Sequence, residues 1–214
     1  MPGAKTNEKN ALRTVLFDFG GVLAAEGFRA GLKAIARRFG LDPHQLYAEG
    51  TEAVYASGYV LGTGSERDFW DLLCRRTGLP EYRESFTEEI LRRFVLRPRM
   101  LRAVRSLRQK GLITAILSDQ TDWLDRLEAR DRFFGEFDRV FNSYHLGKGK
   151  RDPSLFTDVL TALGLEPEQA LFVDDNSGHV ERARSRGLRA FLFTGERRAL
   201  VRLEKIPGLS LRTE

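Results

Sequence analysis

The sequence contains few of the residues that build disulfides or zinc sites. Its single cysteine, Cys74, excludes an intrachain disulfide and any metal site made of several cysteines. Its three histidines, His44, His145 and His179, do not have the spacing of zinc ligands. The sequence therefore argues against disulfide-rich and zinc-finger scaffolds.

Long apolar runs are also missing. No segment approaches the roughly 20 apolar residues that a membrane span requires. The apolar segment 112–117 is itself interrupted by Thr114. The first ten residues, MPGAKTNEKN, lack the apolar region of a secretory signal. We therefore expect a cytoplasmic protein with a loose N-terminal tail and no membrane partner.

The chain has only a small excess of positive charge. Its 35 Lys and Arg residues are mixed with 30 Asp and Glu residues, which gives a net charge of +5. Four arginines recur at helical spacing, namely Arg99, Arg102, Arg105 and Arg108. We interpret them as a solvated helix face, since no zinc finger, RNA-binding signature or basic tail accompanies them. We therefore expect no nucleic-acid partner.

Five short segments are dominated by Val, Leu, Ile, Phe and Ala, although the third is weaker than the others. They are residues 14–19, 112–117, 139–143, 170–173 and 189–193. Continuous apolar runs, as opposed to alternating ones, are typical of strands that are buried on both faces of a parallel sheet. The sequence therefore predicts an α/β fold with a doubly wound parallel sheet.

Helix signals lie between the last four of these strands. Asp152 followed by proline predicts one helix start, and Asn176 predicts another. Gly164 and Gly187 are placed to end these two helices. This alternation of strands and helices is what right-handed crossover connections require.

The first two strands are separated by about 90 residues, which is far too many for one crossover. The interval has helical periodicity and includes a predicted capping box beginning at Ser65. We therefore expect a helical cap domain at 26–97, inserted into an α/β core formed by 11–25 and 98–206. Residues 1–10 and 207–214 would be tails.

Polar side chains follow the predicted strands at the edge where parallel sheets bind ligands. They are Asp18 and Gly20 after the first strand, Ser118 and Asp119 after the second, Lys150 after the third, and Asp174 and Asp175 at the end of the fourth. Adjacent buried acids need a partner for their charge. Mg²⁺, which prefers oxygen ligands, is the cation that we expect there.

These residues stand in four motifs that resemble those of the haloacid dehalogenase-like hydrolase superfamily. The motifs are DFGGV with Asp18, AILSD with Ser118, KRDPSLF with Lys150, and LFVDDN with Asp174 and Asp175. Their order is similar to that of the phosphatase-like branch with a helical cap (subfamily IA), in a variant whose first motif reads DxG. The resemblance implies a Rossmann-like core.

The resemblance also implies a reaction. The chain would be a Mg²⁺-dependent phosphomonoesterase that hydrolyses a small phosphorylated metabolite through an aspartyl-phosphate intermediate. The implied catalytic residues are Asp18, Ser118 and Lys150; the phosphate would be bound by Ser118, Asp119 and Lys150, and the metal by Asp18, Gly20, Asp174 and Asp175. Asp18 would be the nucleophile.

Two positions depart from the usual pattern. Gly20 stands where a second aspartate normally protonates the leaving group, and Arg151 stands where a proline usually follows the lysine. Without the acid we expect a preference for activated esters, unless another residue supplies the proton. His145, His179 and Asp119 are the first candidates for that role.

The sequence leaves open two alternatives to a phosphatase. A degenerate phosphatase that binds a phosphorylated ligand without turnover is favoured by Gly20. A 2-haloacid dehalogenase is disfavoured, because that branch typically has a tyrosine at this position and uses no metal. The substrate, the oligomeric state, and which of Tyr55, Tyr59, Trp70 or the cap arginines reach the site are open as well.

Overall fold

The computed structural model describes residues 11–206, so the two predicted tails, 1–10 and 207–214, lie outside the described residues. A five-stranded sheet forms the centre of the molecule. Its strands are β1 (Thr14–Phe17), β2 (Ile113–Ser118), β3 (Arg139–Asn142), β4 (Ala170–Asp174) and β5 (Arg189–Leu192). Every pair is parallel and the order is β3-β2-β1-β4-β5. All five predicted strands and the α/β fold are thus confirmed.

Helices surround this sheet and fill the interval between β1 and β2. They are α1 (Gly27–Arg38), α2 (Pro43–Ala56), α3 (Glu66–Thr77), α4 (Glu84–Leu91), α5 (Pro98–Gln109), α6 (Trp123–Asp131), α7 (Ser143–Leu146), α8 (Ser154–Leu163), α9 (Ser177–Ser185) and α10 (Glu196–Glu204). The first five lie between β1 and β2 in the chain. No helix in residues 11–206 has both the length and the apolarity to span a bilayer.

The sheet register places the ends of the central strands side by side. Phe17, the last residue of β1, is level with Ile116 of β2 and with Val173 of β4. The residues that follow therefore emerge together at one edge, and the backbone N–H of Asp18 still donates to the carbonyl of Val173 at 2.9 Å. Both faces of the sheet are covered by buried apolar side chains, as continuous apolar strands require.

Most of the predicted helix ends are present. Ser65 and Asp68 form the capping box of α3, and the Asn176 side chain accepts the first N–H groups of α9. Gly164 ends α8 with a φ of 65°. The predicted start of α8 is wrong by one residue. Pro153, and not Asp152, occupies the N-cap position, although the Asp152 side chain accepts the N–H of Ser154 at 2.9 Å.

The arginine stripe lies on α5, where it points into solvent. Arg105 makes a bidentate pair with Glu136, with both N···O distances at 2.7 Å. Arg108 pairs with Asp138 at 2.9 Å. Arg99 and Arg102 are exposed. These ion pairs agree with the interpretation of the stripe as a solvated face.

Candidate functional site

A buried lysine joins the ends of two strands at the centre of the candidate site. The Nζ atom of Lys150 lies 2.8 Å from Oδ1 of Asp18 and 2.7 Å from Oδ2 of Asp174. Only 1% of Lys150 is exposed. Ser118 donates its hydroxyl to Asp18 at 3.1 Å. Four predicted residues from three strands and one loop are thus brought into direct contact.

The two acids that contact Lys150 differ in their protonation. Burial alone would raise the pKa of Asp174, but the charge of Lys150 and a hydrogen bond from His179 hold it well below its usual value. Burial raises the pKa of Asp18 to about 8, against the opposing charge of Lys150. Burial would lower the pKa of Lys150, yet the charges of Asp174 and Asp18 outweigh it and raise that pKa. Lys150 is therefore a permanent cation.

Three carboxylates converge into a group that fits a divalent cation. Oxygen atoms of Asp18, Asp174 and Asp175 all lie within 4.8 Å of one another. Burial and the negative charge of Asp174 raise the pKa of Asp175, so this group has more negative charge than its surroundings neutralise. Gly21 makes room for Asp175, because a Cβ at Gly21 would lie 2.3 Å from a carboxylate oxygen of Asp175. Oxygen ligands of this kind suit Mg²⁺.

Asp119 connects the sheet edge to helix α2. Its carboxylate accepts the backbone N–H of Lys150 at 2.7 Å and the hydroxyl of Tyr55. The guanidinium carbon of Arg151 lies 3.7 Å from the centre of the Tyr55 ring, and Arg151 also bonds Glu52 at 2.9 Å. Asp119 and Arg151 therefore hold an inserted helix against the loop that positions Lys150.

One cavity of about 430 Å³ lies between the strand ends and the helices that connect β1 to β2, and its lining includes Asp18, Ser118, Asp119, Lys150, Arg151 and Asp175. The inserted segment contributes Glu26, Phe28, Arg29, Tyr47, Tyr55 and Phe94, among others. Tyr59 and Trp70 do not line it, since they are buried at 1% and 0% exposure in the apolar core. Of the aromatic residues that the sequence left open, only Tyr55 reaches the site.

Sequence reasoning missed Glu26 and left open which cap arginines reach the site; Glu26 and Arg29 both line the cavity at the start of α1. No motif marks either residue. The one available signal was an acid directly before a predicted helix, which is a common capping position. His179 lines the cavity, but its Nδ1 atom bonds Asp174 at 3.1 Å. His145 bonds Asp125 at 2.8 Å and is not part of the cavity wall.

Gly20 does not have a backbone conformation that requires glycine. It is not among the glycines with positive φ in the described chain. A Cβ at Gly20 would lie 3.3 Å from the nearest atom of the Phe94 ring. The backbone therefore permits an L side chain, provided that Phe94 shifts by a few tenths of an ångström.

Comparison with known proteins supports the motif assignment. A family model for haloacid dehalogenase-like hydrolases matches residues 12–185. The chain belongs to this family. The resemblance that the four motifs indicate is thereby confirmed.

Curated relatives of this hydrolase have different names and lengths. Bifunctional epoxide hydrolase 2 of Rattus norvegicus is 30% identical over 92% of this chain, which spans only 39% of the rat protein. Phosphoserine phosphatase of Thermus thermophilus is 32% identical, and the match covers 83% of this chain and 80% of that enzyme. Phosphatases are thus among the similar proteins.

Solved structures share the fold of this hydrolase. A predicted HAD-like family hydrolase from Porphyromonas gingivalis is 26% identical, with a TM-score of 0.67 over 91% of this chain and 98% of that one. L-2-haloacid dehalogenase from Xanthobacter autotrophicus is 21% identical, with a TM-score of 0.63 over 95% of this chain and 90% of that one. At that identity, the likeness to the dehalogenase shows the fold alone.

Proposed function

We propose that this hydrolase is a Mg²⁺-dependent phosphomonoesterase that acts on a small phosphorylated metabolite. The observation that carries the proposal is the buried Lys150 ammonium between Asp18 and Asp174, next to a third carboxylate, Asp175. A carboxylate nucleophile and a phosphate dianion repel each other. A fixed cation and a divalent metal at the same place would cancel that repulsion.

Asp18 is the proposed nucleophile. One of its carboxylate oxygens would form a bond to phosphorus while the ester P–O bond breaks, which gives an aspartyl phosphate. Water would then attack that phosphorus and release inorganic phosphate. Ser118, 3.1 Å from Asp18, and Lys150 would donate hydrogen bonds to the phosphate oxygens. Asp119 would act through the Lys150 loop, because both of its oxygens already accept protein donors.

The metal would be held by Asp18, Asp174 and Asp175, with the carbonyl of Gly20 as a further predicted ligand. Bound Mg²⁺ would supply positive charge next to the transferred phosphoryl group. Asp174 is also held in place by the backbone N–H of Asn176, at 2.7 Å. The carboxylates therefore present their oxygens in a fixed arrangement.

Residues 26–97 are proposed to be a helical cap on a core of 11–25 and 98–206. The two backbone connections that join this segment to the rest of the chain lie side by side. The N–H of Ala25 donates to the carbonyl of Val95, and the N–H of Arg97 donates to the carbonyl of Leu23, both at 2.8 Å. An insertion that leaves and returns at one place can move as a unit and exclude water from the cavity.

A phospho-ligand binding module is the second candidate, and Gly20 is the observation that favours it. Such a module would bind phosphate and metal through the same residues without turnover. A 2-haloacid dehalogenase is a weaker alternative, because three converging carboxylates suit a metal-dependent reaction better than a metal-free one.

The deciding experiment is a screen of phosphorylated metabolites for release of inorganic phosphate, with Mg²⁺ and with excess chelator. We expect turnover with Mg²⁺, none with chelator, and inhibition by Ca²⁺, which prefers more and longer ligand bonds. Release of halide from 2-haloacids that continues at its full rate in excess chelator would identify a dehalogenase. Binding without turnover of any ester would identify a binding module.

Asp175→Asn tests the metal site. It should raise the Mg²⁺ concentration for half-maximal rate by at least about tenfold, since it removes one anionic ligand. Asp125→Asn is the matched control, because Asp125 is an exposed acid paired with His145 outside the cavity wall. An unchanged Mg²⁺ requirement in Asp175→Asn would place the metal elsewhere.

A further inference from the structure

The cavity wall contains one carboxyl group that the proposed reaction does not yet use. Its four carboxyl side chains are Asp18, Glu26, Asp119 and Asp175. Asp18 is the proposed nucleophile and Asp175 a proposed metal ligand, whereas Asp119 is held by the Lys150 backbone and Tyr55. Glu26 is left over.

Glu26 lies close to the position where the usual second acid is missing. Gly20 and Ala24 form an isolated β-bridge, which brings the chain that leads to Glu26 alongside Gly20. The Phe94 ring lies 3.3 Å from where a Cβ of Gly20 would be and 2.4 Å from where a Cβ of Gly27 would be. One aromatic ring thus separates Gly20 from the residue that follows Glu26.

One oxygen of Glu26 has a structural role and the other does not. Oε2 caps α1 by accepting the N–H of Arg29 at 2.7 Å. The same oxygen lies 3.7 Å from the Arg29 guanidinium. Among the described residues, no group donates a hydrogen bond to Oε1. A carboxyl group can cap a helix through one oxygen and carry a proton on the other.

The surroundings of Glu26 favour a carboxyl group that exchanges protons near neutral pH. Burial raises the pKa of Glu26 to about 7, against the N–H and the charge of Arg29, while Asp175 adds a smaller effect in the raising direction. The other charged or titratable side chains that line the cavity are Asp18, Asp119, Lys150, Arg151, His179, Tyr47 and Tyr55. Since burial is the main cause, neutralising Asp175 with a metal would leave most of the shift in place.

We propose that Glu26 is the proton donor for the leaving group, an inference that rests on the proposed phosphatase function. As the Asp18 oxygen bonds to phosphorus, the ester P–O bond breaks, and its electron pair stays on the ester oxygen. The Glu26 proton moves to that oxygen, so an alcohol leaves. In the second step the Glu26 carboxylate takes a proton from the attacking water, which regenerates the acid.

The test compares an alkyl phosphate with an aryl phosphate in wild type and Glu26→Gln. Glutamine still caps α1 through its amide oxygen but has no proton to transfer. An alkoxide needs that proton far more than a phenolate does. We expect the alkyl-to-aryl ratio of kcat to fall by about 30-fold or more. The pH dependence near 7 should disappear for the alkyl ester only.

Asp42→Asn is the matched control. Asp42 caps α2 as Glu26 caps α1, accepting the N–H of His44 at 2.8 Å, but it lies outside the cavity wall. The alkyl-to-aryl ratio of kcat in Asp42→Asn should stay at the wild-type value. Glu26→Asp, which keeps a carboxyl group on a shorter side chain, should recover part of the ratio that Glu26→Gln loses.

Three results would count against the proposal. Glu26→Gln with an unchanged ratio, or with equal losses on both esters, would reduce Glu26 to a helix cap. A ratio that collapses in His179→Gln instead would assign the proton to His179. Should Glu26→Gln fail to fold, the wild-type pH profiles decide, since a limb near pH 7 must appear with the alkyl ester alone. No phosphate release from either ester by wild type would overturn the proposed function itself.

Discussion

Two acidic clusters lie between the inserted helices and the sheet, and they use carboxylates in opposite ways. We define the Glu66 cluster as Glu66 with its donors Tyr82, Thr87, Trp123 and Arg126, and the Asp18 cluster as Asp18, Asp174, Asp175 and Lys150. The first surrounds one carboxylate with donors. The second places two carboxylates on one lysine and a third carboxylate beside them.

In the Glu66 cluster, donors outweigh burial. Glu66 accepts the hydroxyl of Tyr82 at 2.5 Å, the indole N–H of Trp123 at 3.0 Å and the guanidinium of Arg126 at 3.0 Å. Burial would raise the pKa of Glu66, but hydrogen bonds, first from Thr87, lower it. This carboxylate is stably ionised and ties α3 to α6.

At Asp18 and Asp175, burial and like charges outweigh the favourable contacts, whereas Lys150 and His179 keep the pKa of Asp174 low. The pKa values of Asp18 and Asp175 are both raised, because one lysine cannot compensate three acids. The comparison teaches that donors provided by the protein make a buried acid structural. A buried acid that lacks them is suited to bind a cation and to react.

The largest expected effect is the loss of turnover in Asp18→Asn. The amide is nearly isosteric but a poor nucleophile, so kcat for phosphate release should fall by at least about 10³-fold. A melting curve should show that the fold is intact. If a clean preparation kept more than about a tenth of wild-type activity, Asp18 would not be the nucleophile.

Glu66→Ala should lower the free energy of unfolding. Four donors from α4, α6 and the loop before α4 would lose their acceptor, which should cost about 2–4 kcal/mol in the free energy of unfolding. Denaturant melts would measure it. The control is Glu81→Ala, whose side chain is 86% exposed and pairs with Arg67 at 3.6 Å, and which should cost less than about 0.5 kcal/mol. Equal losses in both variants would mean that the Glu66 cluster is no more important than a surface pair.

The pH dependence of stability should also separate the clusters. In metal-free protein the folded state binds the Asp18 proton more tightly than the unfolded state, whose pKa is near 3.8. This stabilisation is complete below about pH 3.8 and is lost as pH rises through about 8. Asp18→Asn should therefore stabilise the metal-free protein, and by more at pH 8 than at pH 5. Denaturant melts of wild type and Asp18→Asn in chelator, at pH 5 and pH 8, measure this difference in stability. A larger stabilisation by Asp18→Asn at pH 5 than at pH 8 would contradict the prediction.

The smallest expected effect is that of Gly20→Asp. If Glu26 supplies the proton, a second acid should add less than about threefold to alkyl-ester turnover in wild type. In the Glu26→Gln background it should restore about tenfold. Phosphate release by the single and double variants measures both. An equal gain in alkyl-ester turnover in the two backgrounds would mean that Glu26 is not the proton donor that the aspartate introduced by Gly20→Asp would replace.

Much of the Asp18 cluster could be predicted from the sequence, because its residues are fixed by local pattern. Asp18 and Asp174 each stand at the end of an apolar run. Parallel strands bring such ends to one edge whatever the rest of the chain does. The Glu66 cluster could not be predicted, since its members come from α3, α4, α6 and the loop before α4, and no periodicity relates them.

Sequence alone therefore determined the α/β class, the five strands and the reactive edge, because burial patterns and strand-end residues are local properties of the chain. Only the tertiary structure decided the strand order, the choice of Tyr55 over Tyr59 and Trp70 at the cavity, and the place of Glu26 in the cavity wall. These depend on how the inserted helices pack against the sheet. That packing arises from contacts between residues far apart in the chain, which no single segment encodes.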